Sequence, residues 1–227
     1  MITTDAEVKM ERLISDSLAI FTVRPEKLVK WSPGMFLQLS LSKKTASEPW
    51  LDSKPFSIAS WGGSEIKIIV RKEGKFTSSL FDLGRSVFSA SIKYPLGNFY
   101  LKGRENKIFM AGGAGISVFT SYLDYIIKEN INDDLTIFHS SKSKEELLTT
   151  FYWFELKKNI KFYHKVTRIN NSKSGGNRST YEELQKLFEV SSRQKVYICG
   201  PASFTEYWYK VLVTKGFEIR KEQWVVS

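Results

Sequence analysis

The sequence predicts two joined domains: a small antiparallel β-barrel or sandwich, then an α/β domain built on a parallel sheet. Three observations carry this expectation. Up to about residue 100, short β-branched or aromatic runs alternate apolar and polar side chains between Pro and Gly breaks. From Lys107 onward, short apolar runs alternate with helix-length segments. Across Leu101–Asn106, polar residues and glycine replace both patterns. The boundary is therefore set at residue 102, giving domains 1–102 and 103–227.

In the first domain, Leu18–Val23, Phe36–Leu41 and Ile66–Arg71 read as strands. Thr77–Leu83 reads as one helix, with Thr77 capping its start and Gly84 ending it. In the second, the strand Ile108–Ala111 leads through Gly112–Gly115 into a helix from Ile116 to about Lys128. Next come the strand Leu135–His139, a helix over Lys144–Lys158 and the strand Ile160–His164. Asn170–Asn177 reads as a mobile loop. The helix Tyr181–Phe188, the strand Lys195–Cys199 and a helix through Leu212 complete the alternation. Such alternation predicts helices on both faces of a parallel sheet.

Composition narrows the chemistry. Apolar residues make up 42% and aromatics 14%, which fits folded domains. No apolar run approaches the roughly 20 residues of a membrane helix, and the N-terminus has no signal-peptide pattern. A cytoplasmic protein without a membrane span is expected. Cys199 is the only cysteine and His139 and His164 the only histidines, so no metal or cluster ligand set is expected. Redox chemistry would then need an organic cofactor. A net charge of +10 suits polyanionic ligands or partners, or a basic surface with no specific partner. Basic residues are spread along the chain without a nucleic-acid-binding signature, so nucleic acid is not an expected partner.

Several short segments have the residues of ligand sites. Gly112-Gly113-Ala114-Gly115 lies between a strand and a helix, suiting either a tight turn or a phosphate held on backbone N–H groups. At the next strand end, Ser140-Ser141-Lys142-Ser143-Lys144 places hydroxyls and cations where a ribose-binding carboxylate would stand. A 2′-phosphate suits it, as does a plain solvated loop. Thr167 and Arg168 follow the third strand as further phosphate candidates. Cys199-Gly200-Pro201 closes another strand, where Cys199 also reads as a small buried hydrophobe. In the first domain, Lys54-Pro55-Phe56-Ser57 supplies a cation, a flat ring and a hydroxyl. Arg71 and Gly74-Lys75-Phe76-Thr77-Ser78 form an anion pocket. Two diphosphate-suited sites, one per domain, fit two dinucleotides.

Taken in order, these motifs resemble the ferredoxin–NADP reductase family, including cytochrome b5 reductases and oxygenase reductase modules. Pro33-Gly34-Met35-Phe36 is similar to its P-G-Q-F, Lys54–Ser57 to its R-x-Y-S, and Gly74–Leu80 to its G-x-x-S/T-x-x-L. Tyr94–Phe99 is similar to G-P-x-G-x-F, and Ala111–Ser117 to A-G-G-T-G-I-T. Tyr197–Pro201 is similar to Y-x-C-G-P, and Glu222-Gln223-Trp224 to the closing E-x-aromatic. The departures are Lys54 for arginine, Phe56 for tyrosine, Ala114 for threonine and Val118 for proline.

The resemblance implies an FAD-binding β-barrel, a Rossmann-like NAD(P)H-binding domain, and hydride transfer from NADPH to FAD, with NADH as the alternative donor. Phe56 would lie against the flavin ring and Ser57 would hydrogen-bond its N5 edge. Lys54, Arg71, Thr77 and Ser78 would hold the FAD diphosphate, with Pro55, Val70, Gly74 and Phe76 as neighbours. Gly113, Ala114, Gly115 and Ile116 would face the nicotinamide nucleotide, and Ser140, Ser141, Lys142, Lys144, Thr167 and Arg168 its 2′-phosphate. Cys199, Gly200, Pro201 and Phe204 would sit at the nicotinamide, Glu222 near the flavin–nicotinamide contact, and Trp224 at the flavin. Ser57, Cys199 and Glu222 are thus the expected catalytic residues. The expected partner is an acidic carrier such as ferredoxin or flavodoxin. A second reading is an electron-transfer subunit active only inside a larger complex.

Overall fold

β-Branched and aromatic residues in the first hundred positions build six antiparallel strands around one apolar interior. The computed structural model of the chain describes residues 1–101, 106–147, 160–167, 179–188 and 194–224. The strands are β1 (Ile2–Ser15), β2 (Leu18–Pro25), β3 (Phe36–Ser40), β4 (Lys54–Ser57), β5 (Ile66–Arg71) and β6 (Phe88–Leu96). They pair in the order β4-β3-β6-β1-β2-β5. A bridge between Ile58 and Ile68 joins the two ends, so the sheet is a nearly closed barrel. On β1, Thr4, Ala6 and Val8 are buried while the intervening residues are not, the period of two that a strand with one buried face requires. Phe21, Leu37, Ile68 and Ile92 fill the interior beside Val8. Burying each such side chain is worth roughly 1.5–3 kcal/mol.

Helix α1 (Gly74–Leu83) leaves β5 after two residues and buries Leu80 and Phe81. The Phe81 ring lies 5.5 Å from that of Phe21. This helix starts earlier than the sequence suggests. Gly74 takes a φ of +80°, which lets the chain turn sharply into the helix. Thr77 is therefore inside the first turn, its hydroxyl donating to the Glu73 carbonyl (2.7 Å) and accepting the Glu73 N–H (2.6 Å). Gly84 does end the helix, at an ordinary φ of −67°; a Cβ there would collide with the Phe21 ring.

The second half forms β7 (Lys107–Gly112), a 3-10 turn (Gly113–Gly115), α2 (Ile116–Lys128), β8 (Leu135–Ser141) and β9 (Ile160–Val166). It continues with α3 (Tyr181–Phe188), β10 (Lys195–Pro201), α4 (Ala202–Val213) and β11 (Glu218–Trp224). The five strands form one parallel sheet in the order β11-β10-β7-β8-β9. Ile108, Val196, Ile198, Trp208 and Leu212 lie in its apolar core. Most of the expected Lys144–Lys158 helix and the Asn170–Asn177 loop lie outside the described residues. Among the described residues, no helix is long and apolar enough to cross a membrane.

The chain separates into two compact units, Met1–Lys102 with Ser117–Glu129, and Gly103–Ile116 with Asn130–Ser227. Most of α2 is thus counted with the barrel, and its polar side chains show why. After β4 the backbone leaves the ladder, so its polar groups need other partners. Thr120 Oγ1 donates to the Ala59 carbonyl (2.9 Å), and buried Asp124 accepts the Trp61 N–H (2.7 Å). Lys128 Nζ donates both to Asp124 (2.9 Å) and to the Trp61 carbonyl (2.6 Å).

Candidate functional site

On the barrel, β4 pairs with β3 so that Lys54 faces Leu39, Phe56 faces Leu37 and Ser57 faces Phe36. Strand alternation turns Lys54 and Phe56 to one side and Pro55 and Ser57 to the other. Phe56 is only 9% exposed, and its ring lies 6.2 Å from Phe76 at 32°, making an aromatic pair. Ser57 is buried, and its Oγ has no hydrogen-bond partner among the described residues. An unpaired buried hydroxyl costs about 1–3 kcal/mol, which makes Ser57 a candidate site residue.

At the end of β5, the Arg71 guanidinium donates to Ser17 Oγ in the β1–β2 turn at 3.0 Å, and α1 begins three residues after Arg71. That helix has no acidic residue in its first turn, and its N-cap Glu73 makes no side-chain capping bond. The first N–H groups and the helix's partial positive charge therefore stay available to an anion. Ser78 is half-buried in the same stretch. Val70 points into the barrel core, leaving only its backbone to a ligand.

In the parallel sheet, connections run from β7 to β8 and β9 on one side and to β10 and β11 on the other. Ligands of such sheets bind at the strand ends where this direction reverses, here between β7 and β10. Gly112–Ile116, Cys199-Gly200-Pro201 and Phe204 all lie there. Backbone packing explains the glycines. A Cβ on Gly115 would collide with the Cys199 carbonyl, and one on Gly112 would reach 2.8 Å from the Phe204 ring. The turn and the end of β10 therefore approach one another at backbone distance.

Ala111, Cys199 and Glu222 form one register row across β7, β10 and β11. Cys199 is fully buried. Glu222 Oε2 is the second buried side-chain atom without a partner among the described residues, and burial pushes the carboxyl pKa up to about 7. On β8, fully buried His139 stands opposite Ala111, with Nε2 3.1 Å from the Gly113 carbonyl. This contact is not legible in the residues alone, because a lone histidine has no spacing to read. At the end of β8, Ser141 Oγ donates to the Ser143 carbonyl (2.7 Å). The Ser141 carbonyl accepts both the N–H (2.8 Å) and Oγ1 (3.0 Å) of Thr167. Ser140 stays half-buried and Lys142 and Lys144 exposed. Arg168 and the side chain of Trp224 lie outside the described residues.

Residues 3–118 match the family described as FAD-binding domain, and residues 109–210 that described as oxidoreductase NAD-binding domain. The chain belongs to the ferredoxin–NADP reductase-like family.

Within this family, the chain is 23% identical to the anthranilate 1,2-dioxygenase electron transfer component of Acinetobacter baylyi over 205 residues, covering 86% of this chain and 58% of that protein. It is 31% identical over 198 residues to the Pyrococcus abyssi protein named "Probable dihydroorotate dehydrogenase B (NAD(+)), electron transfer subunit", covering 86% of this chain and 66% of the relative. The chain thus spans under two thirds of these relatives. Among solved structures, the ferredoxin NADP+ reductase of Neisseria gonorrhoeae with bound FAD and NADP superposes with a TM-score of 0.76 at 17% identity, covering 98% of this chain and 99% of that one. The ferredoxin reductase in carbazole 1,9a-dioxygenase gives 0.77 at 18% identity, covering 98% and 69%. The reductase-like barrel and the parallel sheet seen here are the fold these structures share.

Proposed function

We propose that residues 1–102 hold FAD, that residues 103–227 hold NADPH, and that the chain passes hydride to the flavin and electrons onward to an acidic carrier such as ferredoxin or flavodoxin. One observation supports this reading above others. The two buried side-chain atoms left unpaired among the described residues, Ser57 Oγ and Glu222 Oε2, both belong to motifs that resemble the family's catalytic ones. Bound FAD would supply the conversion of a two-electron donor into single electrons.

The residues present fit that cofactor. Ser57 Oγ supplies a fixed donor to a flavin ring nitrogen, and the Phe56–Phe76 pair supplies an apolar wall. Lys54 and Arg71 neutralise a diphosphate, and Ser78 and the open start of α1 supply hydrogen-bond donors to it. In the sheet domain, the N–H groups of Gly113–Ile116 hold the dinucleotide, and Cys199 fills the space beside the nicotinamide with a small apolar group. With its pKa raised by burial to about 7, Glu222 holds its proton below neutral pH, where a normal carboxyl would already be ionised, and loses it as pH rises through neutrality.

Ser140, Lys142, Lys144 and Arg168 favour the 2′-phosphate of NADPH over NADH. Lys142→Glu is expected to raise KM for NADPH by about tenfold or more, because reversing a charge that faces a phosphate is worth over about 1.4 kcal/mol even in a watery site. KM for NADH should change little in the same steady-state assay. Equal effects on both donors would remove the 2′-phosphate from the proposal.

The net charge of +10 supports an acidic carrier through electrostatic steering. Several relatives are named as electron transfer components or subunits, which favours a second reading as part of a larger complex. NADPH oxidation by the isolated chain with added carrier separates the two.

A further inference from the structure

We infer that His139 is a positioning residue for the nicotinamide-nucleotide loop, setting the direction in which the Ala114 N–H points. This rests on reading Gly113–Ile116 as that loop. A carbonyl can only accept a hydrogen bond, so the 3.1 Å contact requires that His139 Nε2 carry the proton and donate it to Gly113. In a trans peptide the carbonyl and the following N–H lie in one plane and point in opposite directions. Anchoring the Gly113 oxygen on β8 therefore turns the Ala114 N–H away from that strand.

Such an anchor has work to do at this position. Gly113 takes a φ of +54°, and a glycine can rotate its peptide with little steric resistance. The same carbonyl also accepts the Ile116 N–H, so its direction fixes the start of α2 as well as the turn. The plainer reading is a buried histidine that merely fills the core beside Ala111. That reading asks only for ring volume. The positioning role asks for a donor, and the two can be separated by substitution.

FAD-loaded wild type, His139→Phe and His139→Gln are compared by calorimetric titration with NADP+ or NAD+, whichever the wild type binds more tightly, and by KM and kcat with the matching reduced nucleotide. Phenylalanine keeps the ring volume without the donor, whereas the glutamine amide can still reach the Gly113 carbonyl. The expected result for His139→Phe is about tenfold weaker binding and a matching rise in KM, with a much smaller change in kcat and an unchanged FAD content. His139→Gln should recover most of the loss. Wild-type affinity in His139→Phe overturns the inference, and so does a glutamine variant as weak as the phenylalanine one. Should the phenylalanine variant not fold, amide exchange in the wild type decides: nucleotide should slow exchange at Ala114, and no slowing refutes the assignment. A wild type that binds neither nucleotide overturns the functional reading itself.

Discussion

Replacing Ser57 by alanine is expected to slow reduction of bound FAD by NADPH about 10²-fold, the usual cost of deleting one preorganised donor aimed at a reacting group. Its Oγ is buried and unpaired among the described residues, which supports the donor role proposed for it. FAD content should fall little, because the proposed diphosphate contacts, at Lys54, Arg71 and the start of α1, are left intact. Stability supplies a second readout. Removing an unpaired buried hydroxyl should leave the FAD-free protein as stable as before, or more stable by about 1 kcal/mol. Stopped-flow reduction at the wild-type rate would show that the hydroxyl has no part in the reaction.

Glu222→Gln is expected to stabilise the protein in a pH-dependent manner. Burial raises the carboxyl pKa from 4.5 to about 7 in the folded state. Between those values the folded protein keeps a proton that the unfolded chain has released, so stability falls as pH rises through this window. Above pH 7 the full cost remains. At about 1.36 kcal/mol per pH unit, it approaches roughly 3 kcal/mol. Glutamine is neutral at every pH, so the variant should melt like the wild type at pH 4.5 and well above it at pH 8. An equal shift at both values would show that the carboxyl of Glu222 ionises normally in the fold.

Much of this architecture is legible in the residues because the core is built from simple periodicities. Leu18–Val23, Phe36–Leu41 and Ile66–Arg71 carry strand alternation and became β2, β3 and β5. The strand–helix rhythm after Lys107 is the parallel sheet. β11 escapes that reading. Its residues, Glu218-Ile219-Arg220-Lys221-Glu222-Gln223-Trp224, are mostly charged or polar, and it lies at the sheet edge with β10 as its one partner. Thr77 has the chemistry of a cap, but Gly74 starts the helix first through its backbone freedom. The candidate site divides in the same way. Ser57 and Glu222 stand out by motif, and burial then sets them apart by leaving an atom of each without a partner among the described residues. Val70 turns inward because strand parity, invisible in a motif, places it in the core. The contact between His139 and Gly113 joins residues 26 positions apart and exists only after β7 and β8 pair.

The most direct test follows the visible absorption of the flavin in FAD-reconstituted protein as NADPH is added without oxygen. One FAD bound per chain, and bleaching of its absorption by an equivalent of NADPH, are the predicted results. A chain that unfolds cooperatively on heating, and is thus intact, yet takes up no FAD or keeps its flavin oxidised under excess NADPH and NADH, would contradict the account.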